Sequence, residues 1–161
     1  MSQDKDPDED VWFEESDVNI EMLMDIFNTN TFSAERIESG VVVRSGFAYP
    51  ISITIDDYSG VLKLRADFSL KENFDEEDII GFIDHINENT SCAAFYLHMD
   101  KDGLKKVVGS SFITYLTGFS LRFFYTSAIA FSSSFIAGCK VDEDGAFFDF
   151  SNLPFEQKRL M

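Results

Sequence analysis

"VVGSSFITYLTGFSLRFFYTSAIAFSSSFIAGC", residues 107–139, carries one charged side chain, Arg122, in a chain otherwise dense in Asp and Glu. So much uncharged surface can enter a membrane, a domain core or a partner, and that choice decides the fold. A membrane-spanning helix needs about 20 mostly apolar residues. Gly118, Phe119 and Ser120 read instead as a break between a strand and a helix, and Arg122 lies just past that break. The run from Phe123 to Cys139 is short for a span and contains Thr126, Ser127, Ser132, Ser133 and Ser134. The stretch therefore reads as a strand followed by a long helix from near Ser120, a good N-cap, to about Val141. No contact with a membrane is expected.

On a helix of 3.6 residues per turn, Leu121, Phe124, Tyr125, Ala128, Ile129, Phe131, Phe135, Ile136 and Cys139 share one broad side, the expected core. Thr126, Ser127, Ala130, Ser133, Ser134 and Ala137 share the other, with Phe123 at its edge. That second face is small and hydroxylated yet uncharged, which is unusual for a surface meeting bulk water. Its seven residues are the candidate protein-binding site. The alternative is that the amino-terminal helix and the tail of the same domain cover them.

Working back from this helix, "GLKKVVGSSFITYL" and "SCAAFYLHM" read as strands joined by the hairpin signal "DKDG". Before them Asp75 is an N-cap for a helix in which Ile79, Phe82, Ile83 and Ile86 form one stripe. Glu76, Glu77 and Asp78 in its first turn complement the positive end of the helix dipole. "VLKLRADFSL" alternates Val61, Lys63 and Arg65 against Leu62, Leu64, Ala66 and Phe68. That is the mark of a half-exposed antiparallel sheet. "TFSAERIES" and "VVVRSGFAYPISITI" are further strands, the second interrupted by Gly46 and Pro50 as a bend, a bulge or two strands. A first helix is expected from about Asp17 to Asn28, with Ile20, Leu23, Met24 and Phe27 on its main face and Met22 and Ile26 free for a second contact.

This order predicts an α+β domain, an antiparallel sheet of about five strands flanked by three helices. It spans residues 17–150, after a disordered acidic leader over 1–16 and before an irregular tail over 151–161. The tail region "FFDFSNLPFEQKRLM" is expected to dock through its phenylalanines. A chain of 161 residues buries roughly 70% of its unfolded surface in one domain, and 18 phenylalanines supply most of the core. Cys92 and Cys139 match no metal or redox spacing, and no signal peptide is visible, so a reduced cytoplasmic location is expected. The net charge of −16 repels nucleic acid and anionic membranes, and it suits a basic protein partner.

Chemistry is sparse. "HMDKDG" and "KVDEDG" place acids two apart before a glycine, but neither has the ligand-bearing ends of a calcium loop, so both read as acidic turns. His85 and His98 have no zinc spacing. His85, near Asp78 and Glu88 by helical spacing, is a general-base candidate or, on the plainer view, a boundary histidine with a local ion pair. No nucleophile elbow, phosphate loop or dinucleotide fingerprint is present. No catalytic, metal or cofactor site is expected.

"IEMLMDIFN", "VVVRSGFAYPISITIDDYSGVLKLRADF", "IIGFIDHINENTSCAAFYLHMDKDGLKKVV" and the long helix after "GFS" together resemble the YbjN-type family of proposed bacterial sensory-transduction regulators. The resemblance covers about Asp17 to Asp144. It implies a fold similar to type III secretion chaperones, no cofactor, frequent dimerisation and a protein-binding role, with no catalytic residues to transfer. The expected function is a non-enzymatic, chaperone-like adaptor or regulator that binds another protein or a second copy of itself. The alternative is an acidic inhibitor, an immunity protein or nucleic-acid mimic, that blocks a basic toxin or nuclease.

Overall fold

The structure is a computed structural model that describes residues 10–28, 31–47, 49–71, 74–142 and 145–149. Its spine is β5 (Val61–Ser69), where Leu62, Leu64, Ala66 and Phe68 are buried and the alternate residues are half-exposed, as the sequence pattern predicts. Around it are β2 (Ser33–Ile37), β3 (Gly40–Ser45), β4 (Ile51–Asp56), β6 (Ala94–Met99) and β7 (Lys105–Thr114). They form a sheet in the order β2-β3-β4-β5-β7-β6, with every neighbouring pair antiparallel.

That sheet has six strands rather than the five expected. The extra strand comes from the interrupted run: Gly46 turns at φ 98°, and β3 and β4 separate and pair through Val43↔Ile51. At Gly40 a Cβ would stand 1.9 Å from the Ile53 carbonyl oxygen, so only glycine lets these two strands approach as they do.

Three helices, α1 (Ile20–Phe27), α2 (Glu76–Asn89) and α3 (Leu121–Lys140), contribute to one core with the inward residues of the sheet. Asn19, Asp75 and Ser120 cap them, each side chain accepting from a backbone N–H three residues on. The first helix is shorter than expected and buries Met22, Leu23, Ile26 and Phe27. Its core face is thus centred on Leu23 and Phe27 and includes the two residues expected to stand apart.

Aromatic rings form two clusters within the core. Phe135 stacks on Phe68 at 4.3 Å and 9° and on Phe95 at 5.6 Å and 12°, while Tyr49 lies 4.9 Å away. A second cluster joins Phe27 to Phe32, Phe47, Phe124 and Tyr125. Past α3, Phe147 stacks on Phe82 at 4.2 Å and Phe148 is fully buried, so this part of the carboxy-terminal region docks through its phenylalanines. The expected tail over 151–161 lies outside the described residues.

The expected leader is divided. Residues 1–9 lie outside the described residues, but Trp12–Phe13 form β1 and pair with β8 (Phe119–Ser120), and Glu15–Asp17 make a short 3-10 turn. The cause is the amino end of α3, whose first N–H groups have no intrahelical partners. Leu121 N–H donates to the Val11 carbonyl at 2.7 Å and Arg122 N–H to Asp10 Oδ1 at 3.0 Å. Phe123 N–H donates to Ser120 Oγ at 3.1 Å.

Candidate functional site

α3 carries no acid along its length. Its core line runs through Phe124, Ala128, Phe131, Phe135 and Cys139, all buried. Burial and a hydrogen bond to the Phe135 carbonyl at 2.9 Å keep the Cys139 thiol in place, and desolvation pushes its pKa upward, away from thiolate chemistry.

On the opposite face the seven candidate residues divide. Phe123, Thr126, Ser133 and Ala137 are exposed, and Ser127, Ala130 and Ser134 are half-buried. Two of the hydroxyls are already engaged. Thr126 donates to the Arg122 carbonyl at 2.8 Å, and Ser134 accepts from Cys92 N–H at 3.3 Å, tying the α2–β6 connection to α3.

One position reverses the sequence expectation: Ile129, placed in the core, is 52% exposed, whereas Ser132, assigned to neither side, is buried at 2%. Helical spacing accounts for both: with Phe124, Ala128, Phe131, Phe135 and Cys139 inward, Ser132 falls at the edge of their stripe and Ile129 beyond it, beside Thr126 and Ser133. The buried Ser132 hydroxyl is satisfied by Tyr49 N–H of the β3–β4 connection, which donates to its Oγ at 3.3 Å. The outward face, which also carries the exposed Arg122, therefore has two large apolar side chains, Phe123 at 56% exposure and Ile129.

Alongside its amino-terminal half, α3 shares a cleft of about 750 Å³ with β1 and α1. Met22 and Ile26 of α1, Leu121 and Tyr125 of α3 and the Trp12–Phe13 pair of β1 line it, and Asp17, Glu21 and Asp25 line it too. Tyr125 Oη donates to the Ile26 carbonyl at 2.9 Å and fixes the two helices together. Arg36, 2.6 Å from Glu21, donates a hydrogen bond that holds the Glu21 carboxyl below its usual range.

His85 is exposed on α2, with Glu88 at 3.9 Å and Asn89 donating to its carbonyl at 2.8 Å. A second cleft, about 580 Å³, brings His85 near Lys140 and Asp142. Asp142 is committed elsewhere: its carboxylate accepts from the N–H groups of Ala146, Phe147 and Phe148. Its partner turn is similar, with the Asp100 carboxylate accepting from Asp102 and Leu104 N–H. In each of these turns the first carboxylate, Asp100 or Asp142, is spent on backbone. Among the described residues no helix is long and apolar enough to cross a membrane.

The fold is thus an antiparallel sheet of the α+β class, covered on one face by three helices and stitched at α3 by the amino-terminal strand. Among solved structures, it is similar to YbjN from E. coli, a proposed transcription regulator, with a TM-score of 0.62 over 82% of this chain and 96% of that one. The sequence identity is 11%, so the likeness is one of fold. No family model matches the chain, and no curated protein matches it.

Proposed function

We propose that this chain is a non-enzymatic protein-binding module, an adaptor or regulator, that takes its partner on the outward face of α3. The observation that carries this reading is the pairing of Phe123 and Ile129, both more than half exposed, on a face without acids in a chain of net charge −16. Burying such side chains against a partner gains about 25 cal/mol per Å² of apolar area, and the small residues between them let another backbone come close. The charge directs the reading to a protein, not to nucleic acid or an anionic membrane. A second copy of the chain would use the same face in an isologous contact.

A second reading, inhibition of a basic toxin or nuclease, is favoured by the exposed acids of α2: Glu76, Glu77, Asp78, Asp84 and Glu88. Salt separates the two, because exposed ion pairs are screened whereas apolar contact is not.

The test is capture of partners from the cells of origin by the full chain and by Ile129→Arg, at low and high salt, with sedimentation of each protein alone. The adaptor reading expects a stoichiometric partner, or a dimer, that survives salt and is lost in Ile129→Arg at unchanged melting temperature. Identical capture and identical sedimentation by both proteins would overturn it. A basic partner lost in salt from both would establish the inhibitor.

A further inference from the structure

We infer that the cleft between β1, α1 and α3 is a docking groove for a basic peptide segment with large apolar anchors, one that presents lysine or arginine beside them. The inference rests on the protein-binding reading above and names the chemistry of the partner. The apolar part of its lining is built from three separate elements: Met22 and Ile26 are buried, whereas Trp12 is 54% exposed. Leu121, Tyr125 and Ile129 follow one another at successive turns of α3, so the apolar line of the groove continues onto the exposed face.

Charge selects the occupant. The lining includes three carboxylates, Asp17, Glu21 and Asp25, and no lysine or arginine. Glu21 is shared with Arg36, and Asp17 also accepts from Glu14 N–H at 2.9 Å, which leaves Asp25 as the exposed rim charge to probe. An acidic or purely apolar segment would bring no compensation for desolvating this rim. A segment with cations flanking its anchors meets acid on the rim and apolar surface on the floor.

Trp12 is the only tryptophan of the chain, so its emission reports the groove directly. The probe is a short amidated peptide of lysines and leucines with one phenylalanine and no tryptophan, titrated into the full chain. Expected are a saturable blue shift of Trp12 emission, no response to the same peptide with glutamate for lysine, and binding about tenfold weaker in Asp25→Lys. Asp84→Lys, with the same charge change on α2, should bind as the wild type does. Equal weakening by Asp84→Lys would reduce the effect to general attraction and overturn the groove, as would an absent shift or an equal response to the acidic peptide. A Trp12 spectrum that changes with protein concentration alone would overturn it in favour of a second copy. If the peptide fails while Ile129→Arg still loses the cellular partner, the groove falls and the outward face of α3 stands.

Discussion

At Gly109 a Cβ would stand 2.6 and 2.9 Å from ring carbons of Phe135 and 3.2 Å from Phe95. The ring cannot move aside, because Phe68 and Phe95 stack on it and Phe135 is fully buried. Gly109 therefore sets how close α3 lies to β7, which gives "GSSF" a packing role. Gly109→Ala should cost about 1–3 kcal/mol, the usual range for overpacking a filled core, read as a lower midpoint in urea at unchanged slope. Gly103→Ala is not a clean control, since Gly103 turns at φ 80°. Gly81, with open space around its Cβ position and an ordinary helical φ, is the right one, and its alanine variant should be neutral or stabilising. Equal losses at both sites would refute the packing account.

Local signals made most of the elements legible. Asp75 and Ser120 cap α2 and α3 because capping needs only a side chain and N–H groups within the first turn. β5 was readable because each face of a strand repeats every second residue. What escaped the sequence depends on distant chain. The pairing of Trp12–Phe13 with Phe119–Ser120 spans two residues on each side, too few to leave a pattern. The Tyr49 N–H that satisfies the buried Ser132 hydroxyl is likewise a partner that only the fold brings there. The same long-range logic holds after α3, where Asp142 accepts from three consecutive N–H groups and so holds Phe147 and Phe148 in place. A charge-assisted hydrogen bond is worth about 1.5–3 kcal/mol net, so Asp142→Ala should destabilise by at least about that much. It should also open the 145–149 segment to protease before the sheet unfolds. Protection equal to that of the wild type would show that the phenylalanines alone hold the segment.

Across the whole molecule, acids concentrate on two of the three helices, whereas α3 carries only Arg122 and Lys140. α1 and α2 carry Glu21, Asp25, Glu76, Glu77, Asp78, Asp84 and Glu88 without a lysine or arginine. The outward side of the sheet is mixed: Arg44, Lys63, Arg65 and Lys106 stand among Glu35, Asp56 and Asp67, with Lys63 over the Phe112 ring at 5.6 Å. At neutral pH the carboxylates of these two helices therefore repel one another, and salt weakens that repulsion. Glu21 and Glu35 are held below their usual range by hydrogen bonds from Arg36 and Arg44, and Asp56 by hydrogen bonds from Ser59. Groups depressed in the folded state contribute stability that is fully present above the ordinary carboxylate range and is lost as pH falls through their lowered values. The melting temperature should therefore hold from neutral pH to about 5 and fall below about pH 4, and added salt should raise it at pH 7. Calorimetry across that range decides the matter: a melting temperature that does not fall below pH 4 would mean that the lowered carboxyls contribute nothing, and salt that lowers it at pH 7 would mean that attraction across the exposed pairs outweighs repulsion among the acids of α1 and α2.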